Sequence, residues 1–434
     1  MLEPNAIPDK EPEISVGIIL PEDKQKSVVL EINSSTGYEL KADGQILELA
    51  GNNDLLVEID REFIELNGEK HNSIKIKQQE NNYITVKEVI AGRGFHWAKY
   101  IEVKLTGSLE IKNLDGNLIL INHLPLEEYL ACVATSEMSS QCPDSYIEAQ
   151  TIVARSWMLA NVEQKHIDLG FDVCNDDCCQ RFHGINNLTM QSRNAAKKTA
   201  GQVLMYDEKI VDARYSKSCG GIMEKFENLW ENDPKPYMLN KSDAPVDFNV
   251  DLTDENQLKQ WVDKVPVSFC SPHYIKEEEL HKYLGNVDEQ GKYFRWEIET
   301  TQEELVDNMK GKLGIDIELV LELTVLSRGG SGRILELQID YIDSKDKSKI
   351  LVIHKDYEVR RVLHKMFLYS SAISIEHIYE ENRDIPAKFV FKGAGWGHGA
   401  GMCQIGGLGM SLAGYDADQI VMHYYSGSEL RRIY

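Results

Sequence analysis

From Ile14 to about Ile121 the chain alternates apolar and polar positions in short runs: SVVLEI, YELKA, ILELA, LLVEI, SIKIK, YITVKEV, YIEVKL, SLEIK and NLILI. Asn, Asp and Gly stand between the runs, and a period of two punctuated by turn residues predicts half-buried antiparallel strands. Residues 14–124 are therefore expected to be a β-rich N-terminal region with a scaffolding role, preceded by a flexible N-terminus over 1–13. At Pro125 the period changes. Leu126, Tyr129, Leu130 and Val133 fall at helical spacing, and Pro suits a first helical turn, which predicts a helix from about Pro125 to Met138. A second helix is expected from about Ser145 to Lys165, with Ala149, Ile152, Val153, Ala154, Trp157 and Ala160 as its apolar stripe and no Gly or Pro inside. The two form a hairpin that opens a helical core read as 125–246. Residues 247–346 mix amphipathic helical patterns with the strands WEIET, LVLELTVL and ILELQIDYI and read as an inserted α/β subdomain. Residues 347–434 return to mixed runs, a glycine-rich stretch and a short helix near Ala417 to Tyr424. The expected fold class is α+β, with the glycine-rich segment completing a cleft beside the helical hairpin.

Within the first helix, Glu127 and Glu128 sit in the opening turn, where the helix dipole favours carboxylates and solvent is expected. Glu137 is different. It lies four residues after Val133, seven after Leu130 and eight after Tyr129, so it extends the apolar stripe and should face the core or a cleft. Desolvation and the negative C-terminal end of the helix would both favour its protonated form, as a general acid requires. The bland alternative is a structural carboxylate satisfied by backbone donors or by Arg155.

Two further segments carry candidate chemistry. GAGWGHGAGMCQIGGLG, Gly393 to Gly409, holds eight of the 31 glycines in 17 residues. Glycine is useful where φ must be positive or a backbone must approach something closely. No register gives G-x-G-x-x-G and no Gly-Lys-Ser/Thr follows, so neither a dinucleotide loop nor a P-loop is supported. Trp396, His398 and Gln404 are the side chains this segment would present, a Trp beside polar donors suiting a sugar face, with a structural His as the alternative. In KHIDLGFDVCNDDCCQRFHG the candidate soft ligands are His166, Cys174, Cys178, Cys179 and His183. Zinc binds such donors tetrahedrally, but Cys174 to Cys179 is C-x4-C rather than C-x2-C. Reduced structural thiols, or a disulfide to Cys142 or Cys219, are equally compatible with the spacing.

Composition narrows the function classes. At 434 residues, 42% apolar and 27% charged, the chain is an ordinary globular protein. Acidic residues outnumber basic ones 70 to 47, a net charge of −23, which argues against a nucleic-acid partner because phosphate neutralisation needs Lys and Arg. Gly393 to Tyr415 lacks charges but is rich in Gly, so no membrane span is expected. Glu3, Asp9, Glu11 and Glu13 stand where a secretory signal would carry Lys or Arg and a long apolar run, so on sequence the chain is expected to be cytoplasmic.

LPLEEYLACVATSEM, EAQTIVARSW, CQRFHG, ARYSKSCGG and GAGWGHGAGMCQIGGLGMSLAG resemble, in the same order, the motifs of the SpoIID/LytB family of bacterial cell-wall proteins. The resemblance runs from about Ile14 to the C-terminus, and its most specific piece surrounds Trp396 to Gln404. It implies a peptidoglycan lytic transglycosylase acting on glycan strands, often ones stripped of stem peptides. The family's catalytic Glu falls on Glu137, the residue that helical spacing singles out independently. The family's Ala-Gln and Ala-Arg positions match Ala149, Gln150, Ala154 and Arg155, and its Tyr before Gly-Gly matches Tyr215. A structural zinc carried by some members would map to His166, Cys174 and Cys179. The family's usual Pro after Glu-Met is here Ser139.

The reaction so implied uses one carboxylate. Glu137 gives a proton to the glycosidic oxygen between N-acetylmuramic acid and N-acetylglucosamine, then takes the proton of the sugar's 6-hydroxyl, leaving a 1,6-anhydro end. Arg155, Tyr215, Trp396, His398 and Gln404 would bind the sugars. The rival is a wall-binding module that cleaves nothing and stimulates an N-acetylmuramoyl-L-alanine amidase. A water-using glycosidase would need a second carboxylate, for which no position clearly matches. A wall substrate places the protein at the cell envelope, in conflict with the unmarked N-terminus.

Overall fold

In the computed structural model the alternating runs before Pro125 become strands of two sheets. One has the order Val173–Cys174, Glu13–Ile19, Asn117–Pro125, Ser108–Leu114, Ser73–Gln78, Tyr38–Ala42, Gln45–Leu47. The other has the order Lys99–Leu105, Ile84–Ala91, Ser27–Ile32, Asp54–Asp60, Phe63–Leu66, Glu69–His71. The expected alternation is plain in Ser73–Gln78, where Ile74 and Ile76 are buried and Lys75 and Lys77 exposed. The strands pair antiparallel except that Val173–Cys174 runs parallel to Glu13–Ile19, with Val16 opposite Val173 and Gly17 opposite Cys174. That edge pairing ties the start of the cysteine segment to the sheet. The structure describes residues 1–434 other than 33–36, 48–53, 79–81, 95–97, 231–232 and 286–290, so the end of the run ILELA lies outside the described residues.

Three helices follow: α1 (Leu126–Glu137), α2 (Asp144–Ala160) and α3 (Met190–Lys198). α1 packs against both others. From Tyr129 to Glu137 every residue of α1 is buried, so it is wrapped on all sides rather than amphipathic. α2 ends five residues before the expected Lys165, because Asn161 turns left-handed (φ 44°) and caps it, its N–H donating to the Trp157 carbonyl. α3, hidden in the sequence by its polar surface, starts with Thr189 accepting from the Ser192 N–H. Tyr129, Leu130, Val133, Ala154 and Met158 from the helices share one apolar core with Leu30, Val57, Ile74, Ile76 and Ile111 from the sheets. The strands before Pro125 and the helices after it are thus one folding unit, made up of Met1–Asp212, Tyr283–Val287 and Leu430–Tyr434.

The second unit comprises Ala213–Lys282 and Asp288–Glu429. It begins inside the segment read as the helical core. Its sheet Arg295–Thr301, Pro386–Ala394, Ile373–Tyr379 joins strands from either side of residue 346. The same holds for the meander Leu319–Arg328, Ile334–Ile342, Ser348–His354. Leu305 and Met309 from one helix and Val359 and Val362 from another pack with Leu337, Ile339, Phe389 and Phe391 in a shared core. Residues 247–346 and the chain after them therefore fold together, and a boundary at 346 cuts a sheet. The chain is α+β, and among the described residues no helix is long and apolar enough to cross a membrane.

Candidate functional site

Glu137 is the last residue of α1 and is 8% exposed. At Met138 the backbone becomes extended, and Ser139 N–H donates to the Tyr283 carbonyl at 2.9 Å. The Glu137 carboxylate is held from the cysteine segment: Oε1 accepts the backbone N–H of Arg181 at 3.0 Å. Gln180, just before it, bridges the helices, accepting from Tyr129 Oη at 3.1 Å and donating to the Ala154 carbonyl at 3.2 Å. Phe182 stacks on Tyr129 with ring centres 5.1 Å apart. The motif CQRFHG thus works as a clamp on the end of α1.

The other side of the clamp is fastened to the sheets. Asp176 accepts the N–H groups of Gly92 (3.0 Å) and Arg93 (2.6 Å), and the Arg93 guanidinium reaches Asn175 and Asp23. Between these anchors His166, Cys174, Cys178 and Cys179 bring their donor atoms within 4.8 Å of one another. Cys174 and Cys178 sulfurs stand 2.9 Å apart, Cys178 and Cys179 4.0 Å, and Cys178 Sγ is 3.8 Å from His166 Nε2. Hydrogen bonds from Cys174 and Cys179, and then His166, push the pKa of the Cys178 thiol well down, while the same bonds push that of Cys174 up. A thiolate focused by two thiols and an imidazole is the donor set that zinc takes. The structure so joins the three expected ligands with Cys178 and leaves out His183, whose pKa burial pushes down to about 4. Cys142, offered as a disulfide partner, is in no disulfide, and its Sγ donates to the Tyr283 carbonyl at 3.6 Å.

Arg155 is committed elsewhere. It is fully buried on α2 and grips Glu127 with two bonds, Nε to Oε1 at 2.9 Å and Nη2 to Oε2 at 2.6 Å. Nη1 also donates to the Gln202 carbonyl and Nη2 to Thr199 Oγ1. Glu127 also accepts from Tyr434 Oη at 2.7 Å, so the helix-start carboxylate expected in solvent is instead the centre of an internal network. Arg155 is a partner neither of Glu137 nor of solvent.

Tyr215, Trp396, His398 and Gln404 belong to the second unit. Tyr215 and Ser216 pair parallel with Met402 and Cys403, so the glycine-rich segment folds back on the ARYSKSCGG segment. His398 is fixed by backbone at both nitrogens, Nε2 donating to the Tyr215 carbonyl (3.0 Å) and Nδ1 accepting the Ala400 N–H (3.1 Å). Burial, with Arg214, Arg333 and Arg360 nearby, pushes its pKa down to about 3, which favours the neutral imidazole. Trp396 is stacked on Tyr369 at 3.8 Å and also meets Tyr293. Gln404 is buried at the start of the helix Gln404–Leu412. The glycines serve this fold: at Gly399 (φ 75°) a Cβ would lie 2.4 Å from the Arg333 guanidinium.

Residues 114–206, which span α1, α2, the cysteine segment and α3, match the Stage II sporulation protein family, SpoIID. Residues 224–401, most of the second unit, match a domain of unknown function, DUF8618. An uncharacterised protein of Brachyspira hyodysenteriae is 23% identical over 328 residues, 76% of this chain and 72% of its own length. An amidase enhancer of Bacillus subtilis is 24% identical over 311 residues, which covers 69% of this chain but 39% of that protein. The SpoIID match coincides with the carboxylate, its clamp and the thiol cluster, and by these likenesses the chain is a SpoIID/LytB-like protein.

Proposed function

We propose that the protein acts on the bacterial cell wall as a peptidoglycan lytic transglycosylase, with Glu137 as its single acid and base. The observation that carries this reading is a nearly buried carboxylate at the end of α1, oriented by the Arg181 N–H rather than neutralised by Arg155. In its protonated form Glu137 donates to the glycosidic oxygen, the C1–O bond of the muramic acid breaks, and an oxocarbenium-like centre develops at C1. The resulting carboxylate then takes the proton from the same sugar's 6-hydroxyl as O6 closes on C1. No water is consumed, and Glu137 ends protonated as it began. His166, Cys174, Cys178 and Cys179 would hold zinc, which would supply cross-linking of the clamp rather than chemistry.

Digestion of purified, peptide-free glycan tests this. The expected products carry 1,6-anhydromuramic ends by mass spectrometry, and Glu137→Gln abolishes them; equal product from both proteins would sink the proposal. The relative named as an amidase enhancer favours a second reading, in which the protein binds glycan and stimulates an amidase without cleaving. Tight binding with no product after long incubation would select it.

A further inference from the structure

A second cluster of soft donors lies in the second unit, independent of any reading of Glu137. Cys219, Asp243, Cys270 and Cys403 come from four separate segments, all are buried, and their donor atoms lie within 4.8 Å of one another. We propose that these four residues form a closed, structural zinc site of Cys3Asp type.

Donors at about 2.3 Å from a tetrahedral zinc stand about 3.8 Å apart when both are sulfur, and about 3.5 Å when one is a carboxylate oxygen. Here the Cys219 and Cys270 sulfurs are 3.7 Å apart, and Cys219 Sγ is 3.4 Å from Asp243 Oδ2. A disulfide would need sulfurs about 2.05 Å apart and would leave the third thiol and the carboxylate without a role. A single tetrahedral ion uses all four donors and fills its shell, which is the arrangement of structural rather than catalytic zinc.

The surroundings orient the donors as outer partners of a metal do. The other oxygen of Asp243, Oδ1, accepts from Tyr424 Oη at 2.8 Å and stands 3.5 Å from His423 Nε2. Cys403 caps the helix Gln404–Leu412, its sulfur accepting N–H groups from Gly406 (3.3 Å) and Cys219 (3.2 Å). Ser268 Oγ lies 3.2 Å from Cys270 Sγ. Room for the carboxylate depends on one missing methyl group, since a Cβ at Gly406 would sit 2.3 Å from Asp243 Oδ2. Thiolates and a carboxylate removed from water are costly to bury together without a cation. An ion at this point would staple the ARYSKSCGG segment and the glycine-rich segment to the loops that carry Asp243 and Cys270.

The test is metal counting on the full chain, purified under reducing conditions from zinc-supplemented cells. Relative to wild type, Cys270→Ser/Cys403→Ser is expected to lose one equivalent of zinc and Cys174→Ser/Cys178→Ser a different one, the combined variant losing both. Zinc content unchanged by Cys270→Ser/Cys403→Ser overturns the proposal. Should that variant fail to fold, cadmium-113 NMR of the cadmium-loaded wild type decides: a resonance with three-sulfur, one-oxygen character, beside one with three sulfurs and a nitrogen, supports the site. The absence of the former, or a Cys219–Cys270 disulfide found by peptide mapping of the freshly purified protein, overturns it.

Discussion

Arg181 meets Glu137 through its backbone: the N–H donates to Glu137 Oε1 at 3.0 Å, while Nε of its side chain donates to Asp177 Oδ1 at 3.0 Å. That contact needs only a backbone N–H at position 181, whatever the side chain. Arg181→Ala should retain most glycan cleavage and lose about 1–3 kcal/mol of stability, because it removes a mostly buried charged hydrogen bond to Asp177. Arg181→Pro removes the donor and should lower kcat by about tenfold or more, since a hydrogen bond to a charged group contributes about 1.5–3 kcal/mol. Equal kcat in the two variants, measured on peptide-free glycan, would remove the clamp from the mechanism.

Because the same segment carries Cys174, Cys178 and Cys179 on one side and Gln180 and Arg181 on the other, metal removal should be felt at Glu137. Treatment with a strong chelator, or Cys178→Ser, is expected to cut cleavage several-fold while the far-UV circular dichroism stays near that of wild type. Hydrogen exchange should rise in residues 174–183 first. A chelated protein with full activity and unchanged exchange there would separate the cluster from the carboxylate.

The Arg155–Glu127 pair makes a prediction about stability rather than catalysis. Arg155 is fully buried, so Glu127→Ala leaves a guanidinium without its counter-charge and should cost about 3–5 kcal/mol in urea unfolding. Glu127→Leu combined with Arg155→Met should recover part of that loss, with a coupling energy well above about 1 kcal/mol in the double-mutant cycle. A substrate-binding Arg155 would instead raise KM with little change in unfolding.

These two carboxylates show what the sequence can and cannot convey. Glu137 follows Tyr129, Leu130 and Val133 on one helical stripe, and burial of that stripe is local information, as is the alternation of Ile74 and Ile76 with Lys75 and Lys77. Glu127 reads as a solvent-facing helix start because its partners, Arg155, Gly201 and Tyr434, are contributed by distant segments. Strands of the second unit are legible as strands, but their pairing across residue 346 is not, because periodicity specifies an element and not its neighbour. The thiols of the first cluster are crowded in sequence and can be found there. Cys219, Cys270 and Cys403 are spread along the chain, and no spacing rule joins them to Asp243.

His398 should be invisible to pH over the working range. Its folded pKa is pushed down to about 3 from an ordinary value of 6.5, so the folded protein binds fewer protons than the unfolded chain between these values. The contribution to stability is complete above pH 6.5 and falls as the pH is lowered through 6.5 towards 3. Unfolding midpoints should decline over that window, less steeply in His398→Gln. A His398 ring signal that titrates near 6.5 in the folded state would contradict the double backbone bond to Tyr215 and Ala400.

Gly401 provides the sharpest test of the glycine-rich segment. It has φ 66°, and a Cβ there would lie 1.9 Å from the Arg214 carbonyl oxygen, a backbone atom held in place by Tyr425 Oη at 2.6 Å. Two costs therefore add in Gly401→Ala: the left-handed conformation, about 1 kcal/mol, and displacement of the strand pairing of Tyr215–Ser216 with Met402–Cys403. Gly44 separates them, because it has φ 81° but a methyl group added there would meet no atom within 4 Å. Gly44→Ala should cost about 1 kcal/mol, and Gly401→Ala at least about 3 kcal/mol by the same urea measurement. Equal losses at the two positions would mean that conformational freedom alone, and not close approach of two chain segments, explains the glycine there.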